Sequence, residues 1–418
     1  MIPQLLGLCL IAITAVGAGS AVLRQIGRDR FERKRHDLEI ALLRSRLEEE
    51  HELRSARSRS TLPWNGFRKF VVKQKVLEAD GLTSIYLGPH DGRALPDFMP
   101  GQYLTFQLPI AGQSKPVIRC YSLSERPRRD YYRITVKYLA APPDSPGIAP
   151  GLGSGYFHND VREGDIIDVK APGGHFFLDP MEKGGVVLIG GGIGVTPMLS
   201  MLNTLVGLHS RREVWFFYSV RNSDDHIMRD ALQTIARENP NMHIVVCYSR
   251  PRQDNVAGQH YDEVGRLSVN LIRGRLPSSN FDFYMCGPGA MMEDLTRELL
   301  DWGVPSSRIH FETFGPSSVK KVGGVTHPPM ALAKKFSVKF KRSGKSVDWT
   351  GACSNLLELA EQSGVAIASG CRSGNCGTCV VAVQAGEVEY MQTPGSAPDP
   401  GTCLTCVAMP KADLVLDA

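Results

Sequence analysis

Three cysteines in the stretch "SGCRSGNCGTC" (369–379) are the densest chemistry in the sequence, with Cys371, Cys376 and Cys379 at the spacing Cys-x4-Cys-x2-Cys. Thiolates that close together in a loop of glycine and serine match the ligand spacing of plant-type 2Fe-2S sites, where small residues let backbone amides approach the sulfurs. A zinc site would ask for paired Cys-x-x-Cys units, and only Cys403 and Cys406 form a second unit of that kind. The stretch "CLTCVAMPKADLVLD" (403–417) therefore offers the fourth sulfur, from Cys406 or from its neighbour Cys403. A cluster of this kind stores one electron and is otherwise passive, so something else in the chain has to load it. Cys9, Cys247 and Cys353 stand apart and read as small buried apolar residues.

A chain of 418 residues with 42% apolar residues is long enough for two or three cores. Lys and Arg exceed Asp and Glu by only five, which argues against a nucleic-acid partner. Five of the ten cysteines fall between Cys371 and Cys406, a clustering that favours metal over cystine. The first ionisable side chain is Arg24, so a helix over residues 1–23 would span ~33 Å and reach across a bilayer core. Arg24, Arg28, Arg30, Arg33, Lys34 and Arg35 follow directly, and basic flanks prefer the cytoplasmic side. The reading is a transmembrane anchor over 1–23 with the catalytic domains cytoplasmic. Small residues at 18–21 fit a cleaved signal peptide as well, but no basic segment precedes the apolar run. Residues 24–62 read as a charged helical stalk whose apolar stripe is too broken for a coiled coil.

From Trp64 short β-type runs such as "YLTFQLPI" and "YRITVKYL" recur between Gly and Pro, the texture of an antiparallel barrel, assigned to 63–180. Residues 181–315 alternate apolar strands with helices, as in "VVLIGGGIGVTPMLSML" (186–202), which calls for a parallel sheet covered on both faces. Residues 316–333 lack periodicity and read as a linker. A small α+β unit over 334–418, of β-grasp type, carries the cysteines.

The order of motifs resembles the ferredoxin reductase superfamily, in its flavohaemoglobin-like and oxygenase-reductase branch, joined to a C-terminal plant-type ferredoxin domain, whose "LTC" turn implies Cys406 as the fourth cluster ligand beside Cys371, Cys376 and Cys379, with Cys403 a spare. "RCYSLS" (119–124) is similar to that family's Arg-x-Tyr-Ser signature. The resemblance implies that Arg119 meets flavin phosphate, Tyr121 packs on the isoalloxazine and Ser122 reaches its reactive nitrogen. "PGQYLTF" precedes it, and "ITVKYL" follows, placing Val136 and Lys137 at the flavin. "GLGSGYFHNDVREGD" (151–165) brings Gly153 and Ser154 to the diphosphate at a helix start, which inclines the choice from FMN to FAD.

The glycine loop after Val186 departs from Gly-x-Gly-x-x-Gly, and no acidic residue ends the next strand, so the standard dinucleotide fingerprint is absent. It resembles instead the nicotinamide half of the same superfamily. There Gly191, Gly192, Gly194, Val195 and Thr196 would hold NADH or NADPH, with the loop glycines admitting close backbone approach to the diphosphate. "YMCGPGAMM" (284–292) places Cys286 and Gly287 at the hydride-bearing carbon, with Cys286 positioning rather than attacking. "HFETFGP" (310–316) places Glu312 and Phe314 toward the flavin, although Phe314 also fits a simple core position. Arg221 and Arg250 are candidates for a 2′-phosphate clamp, against which exposed arginines at strand ends are commonly solvated; NADH is the expected donor.

A nicotinamide gives an electron pair as hydride and a 2Fe-2S cluster takes one electron, so a flavin between them completes the wiring. The expectation is a membrane-anchored NAD(P)H reductase that serves a separate electron-accepting protein, such as an oxygenase or hydroxylase. A stand-alone oxidase or scavenger of oxygen or nitric oxide is the alternative, although no globin-like region precedes the barrel. A redox sensor without turnover is the other.

Overall fold

The computed structural model describes residues 64, 66–113, 115–141, 150–312, 314, 335–370, 372, 374, 377–390, 394 and 398–418. The anchor and stalk expected over 1–62, the linker expected over 316–333, and Cys371 and Cys376 lie outside the described residues. Among the described residues, no helix is long and apolar enough to cross a membrane.

The first sheet is antiparallel and six-stranded, built from β1 (Phe67–Ala79), β2 (Leu82–Pro89), β3 (Tyr103–Leu108), β4 (Val117–Ser122), β5 (Tyr132–Lys137) and β6 (Ile166–Lys170) in the order β4-β3-β6-β1-β2-β5. Its edges meet through the bridge Leu123–Ile134 and the bond from the Ser124 amide to the Arg133 carbonyl, which closes the sheet into a barrel. Asp80-Gly81 forms the tight β1–β2 turn, with Gly81 at φ +63°, the conformation that a two-residue hairpin loop asks of glycine. Alternate residues of each strand point inward, so Phe70, Ile85, Leu104, Phe106 and Ile134 fill the barrel.

The second sheet holds β7 (Val186–Gly191), β8 (Val214–Val220), β9 (Met242–Tyr248), β10 (Glu263–Val264), β11 (Asp282–Cys286) and β12 (Ile309–Glu312) in the order β10-β9-β8-β7-β11-β12. All its pairings are parallel. Every residue of β7 is buried; Val186 and Leu188 enter one core and Val187 and Ile189 the other. That two-sided burial is why the strand reads as an unbroken apolar run. Helices α2 (Val195–Gly207), α3 (Arg229–Glu238), α4 (Val269–Arg275) and α5 (Gly289–Asp301) link the strands, while α1 (Leu152–Gly155) belongs to the barrel and runs into a π turn, Tyr156–Asp160.

The third sheet comprises β13 (Phe336–Phe340), β14 (Lys345–Trp349), β15 (Val380–Ala385), β17 (Thr402–Leu404) and β19 (Leu414–Leu416), ordered β14-β13-β19-β15-β17. A ribbon of β16 (Val388–Tyr390) and β18 (Ala408–Pro410) lies beside it, and α6 (Leu356–Gln362) buries Leu356, Leu359 and Ala360 in its core. Helix α6 starts at Asn355, whose side chain accepts from the Glu358 amide at 2.9 Å.

Candidate functional site

Strand β4 carries Arg119 and Tyr121. The Tyr121 ring meets Phe106 edge-on at 5.7 Å and Phe157 at 5.1 Å, and those two rings meet each other at 5.3 Å. This aromatic seat fixes the ring plane, and burial pushes the phenol's pKa up, so it stays neutral. Gly153 brings the start of α1 against the same two side chains. A Cβ on it would lie 2.8 Å from Arg119 Cγ and 2.8 Å from Tyr121 Oη. Arg119, Tyr121 and Gly153 are thus brought together, and the buried Ser122 ends the same strand. The Arg119 guanidinium donates to the Ile118 carbonyl at 2.8 Å and reaches the Gly370 carbonyl, next to Cys371, at 3.5 Å.

Three further residues expected at the flavin have protein partners of their own. The Ser154 hydroxyl serves its own turn, donating to the Gly151 carbonyl at 3.0 Å and accepting from the Leu139 amide at 3.1 Å. Val136 is a barrel-core side chain. The Lys137 ammonium pairs with Asp225 of the second sheet at 2.7 Å. Phe314 is 39% exposed, so the simple core reading does not apply to it.

The glycine loop is closely packed. A Cβ at Gly194 would sit 2.3 Å from the Cys286 carbonyl oxygen, one at Gly191 2.7 Å from Met291 Sδ, and one at Gly190 2.7 Å from Val195 Cα. Gly190, Gly191 and Gly194 let the turn after β7 nest against Val195, the end of β11 and the start of the helix that follows it. Gly192, at φ +55° with nothing within 4 Å of its Cβ position, is the open position of the loop. The Thr196 hydroxyl donates to the Ile193 carbonyl at 3.0 Å and closes the turn into α2 behind Val195. Strand β5 packs beside this turn, so the glycine loop faces the flavin barrel.

Cys286 closes β11 beside the glycine turn and precedes Gly287, whose Cβ position lies 3.2 Å from Gly191 Cα. Its partner across the β11–β12 ladder is Glu312. Burial, and then the Glu312 carboxylate, push the Cys286 thiol well above its ordinary pKa. A fully buried neutral thiol is no nucleophile, and its place at the loop suits packing and positioning.

A cavity of ≈ 280 Å³ is lined by Asp80 of the barrel and by Arg221, Asn222, Asp224, Asp225 and Arg250 at the ends of β8 and β9. The two arginines marked in the sequence do meet there. Arg221 is already engaged, donating to Asp225 at 2.6 Å, while Asp224 receives Arg252 at 2.6 Å. The acidic members of this cavity carried no signal in the sequence, because they come from a hairpin turn and a short 3-10 turn far apart along the chain.

At the cysteine end, Cys379 Sγ and Cys406 Sγ lie 3.1 Å apart, and the Gly374 amide donates to Cys406 Sγ at 3.3 Å. Two sulfurs in contact, one receiving a backbone amide, fit the thiolate cage of an iron–sulfur cluster. Cys403 faces the opposite way: paired with Val381 across β17 and β15, it enters the main core of the sheet, and burial raises its thiol to about 12. The neighbours Cys403 and Cys406 are thus separated into two packing groups.

Comparison with known proteins follows the three sheets. The model of the oxidoreductase FAD-binding domain matches residues 88–178, that of the oxidoreductase NAD-binding domain residues 188–297, and that of the 2Fe-2S iron-sulfur cluster binding domain residues 339–411. The structure of phthalate dioxygenase reductase, described as modular for electron transfer from pyridine nucleotides to [2Fe-2S], is similar over 85% of this chain and 98% of its own, at 28% identity and a TM-score of 0.52. The chain belongs to the ferredoxin reductase superfamily. Its FAD- and NAD-binding domains make this superfamily member an oxidoreductase. The FAD/NAD-binding domain of nitric oxide dioxygenase from Vibrio cholerae is similar over 60% of this chain and 100% of its own, at 36% identity and a TM-score of 0.53. A flavohemoprotein of Halalkalibacterium halodurans is 40% identical over 254 residues, 61% of each chain. The chain thus spans 61% of the length of that curated relative.

Proposed function

We propose that this reductase draws electrons from NADH, passes them through FAD to its 2Fe-2S centre, and delivers them to a separate acceptor protein such as an oxygenase or hydroxylase. The single observation that carries this reading is the 3.1 Å pair of Cys379 and Cys406 on the same compact unit as the flavin barrel and the glycine loop. FAD supplies the conversion between a hydride's electron pair and the single electrons that an iron–sulfur centre accepts. The protein's own part is placement. Tyr121 and Gly153 form the flavin seat, Arg119 answers phosphate charge, and Gly192 with Thr196 presents the loop to the nicotinamide. Glu312 and Cys286 back that loop. The assigned cluster ligands are Cys371, Cys376, Cys379 and Cys406.

NADH is favoured over NADPH by the charges in the cavity. Asp80, Asp224 and Asp225 line it beside two arginines, and Arg221 is already bound to Asp225. A 2′-phosphate there would meet three carboxylates. Residues 1–23 are assigned as a membrane anchor by their apolar length and basic flank, with the catalytic domains cytoplasmic. An acceptor that is itself at the membrane would account for such an anchor.

The similarity to flavohemoproteins and to the nitric oxide dioxygenase domain supports a second reading, a stand-alone oxidase or scavenger. Anaerobic titration of the full chain with NADH and then NADPH tests both nucleotide choice and wiring. NADH is expected to bleach the flavin and then produce the reduced-cluster resonance. A colourless protein holding zinc would sink the reading. Turnover with ferricyanide separates a reductase from a sensor, and a requirement for a purified partner separates it from a scavenger.

A further inference from the structure

The flavin barrel and the parallel sheet meet through several contacts, among them the Ser200 hydroxyl on the Glu125 carbonyl at 2.9 Å. One of them is charged. Lys137 ends β5, and its ammonium donates to Asp225 Oδ1 at 2.7 Å, with the carboxylate side chain only 9% exposed. Asp225 is held from its own side as well. Arg221 donates to Oδ2 at 2.6 Å, the Tyr218 hydroxyl donates to the Asp225 carbonyl at 3.1 Å, and the Asn222 side chain caps the turn by accepting from the Asp224 amide at 3.0 Å. The carboxylate is a fixed post on one domain, and the lysine comes to it from the other. Desolvation consumes much of what a partly buried ion pair gains, so its value lies in geometry more than in stability. The strand that carries Lys137 also packs beside the turn Gly192–Gly194.

We propose that the Lys137–Asp225 pair is a positioning contact: it seats the nucleotide domain on the flavin barrel and so registers the glycine turn against the flavin. Its catalytic consequence rests on the reductase function proposed above, whereas the contact itself does not.

The test uses the full chain with Lys137→Met, Asp225→Asn, the double variant and Lys137→Arg. Three quantities are read: hydrogen exchange at 192–196 and 222–226, FAD content, and the limiting rate of anaerobic flavin bleaching by NADH. Each of the first two variants is expected to speed exchange at both segments and to slow bleaching roughly tenfold while keeping FAD, because small misplacement of reacting groups is costly. The double variant should be no worse than the weaker single, as for residues that act as one contact, and Lys137→Arg should restore both readouts. Unchanged exchange at 192–196 in all variants would overturn the proposal, as would additive effects. Loss of FAD from Lys137→Met with normal exchange would make Lys137 a flavin ligand and also overturn it. Failure of the unaltered protein to bleach with NADH strikes the reductase reading alone, since exchange still decides the contact.

Discussion

At the scale of single residues, two cysteines three positions apart in sequence part company. Cys406 turns to Cys379, and Cys403 turns to the core of the sheet. Cys406→Ser is therefore expected to lose most of the bound iron, whereas Cys403→Ser keeps it and loses stability by roughly 1–3 kcal/mol for a buried hydroxyl without a partner. Iron content and unfolding midpoints distinguish the two, and iron lost from Cys403→Ser alone would reverse the assignment. Cys286 is a second residue whose chemistry depends on place. With its thiol held neutral by burial and Glu312, Cys286→Ala should leave FAD bound and slow flavin bleaching on the order of tenfold through a shifted loop. Stopped-flow traces at saturating NADH read that change. Alkylation of native protein at Cys286 by iodoacetamide would contradict the buried, neutral thiol.

At the scale of elements, the turn after β7 and the end of β11 are one packing unit. The Cβ of an alanine at 194 would lie 2.3 Å from a backbone oxygen and 2.5 Å from its carbon, atoms that no side-chain rotation can move. Gly194→Ala should cost at least about 1–3 kcal/mol as an overpacked site and weaken NADH binding with it. Gly192→Ala meets no such wall, and its cost comes only from the positive φ, about 1–2 kcal/mol. Calorimetry that ranks Gly192→Ala as the more damaging would contradict the packing role of Gly194.

At the scale of the whole molecule, stability should depend on acid through groups buried in the nucleotide half. His226 lies among Tyr218 and Tyr248, its Nδ1 at 2.8 Å from the Tyr248 hydroxyl, and burial, then the Arg229 charge, push it down to about 4. The unfolded chain binds this proton near pH 6.5 and the folded one only near pH 4, so stability is full above that window and falls as pH drops through it, by about 3 kcal/mol in all. Asp225 adds a second loss at lower pH. Burial raises its carboxyl, but the hydrogen bonds from Arg221 and Lys137 outweigh this and hold it below the ordinary value. Its contribution is present above the unfolded value and disappears as pH falls through the depressed one. Thermal unfolding midpoints for the unaltered protein and for His226→Gln between pH 7 and 4 measure the first effect. Equal slopes in the two proteins would remove His226 from the account.

Strand periods and glycine turns are local in the chain, so the barrel and the parallel sheet were legible from the sequence by itself, whereas the grouping of Arg119, Tyr121 and Gly153 was implied by the family resemblance. Contacts between distant segments leave no such trace. Whether Cys403 or Cys406 meets Cys379 depends on which face of β17 and its following turn is buried. The direction of Lys137 depends on a carboxylate supplied by another sheet, and the glycines of the β7 turn answer to the backbone of Cys286 across the fold. Tertiary structure alone decided the partner of Lys137 and the packing of these glycines, because burial and close approach are properties of neighbours that the sequence does not put side by side.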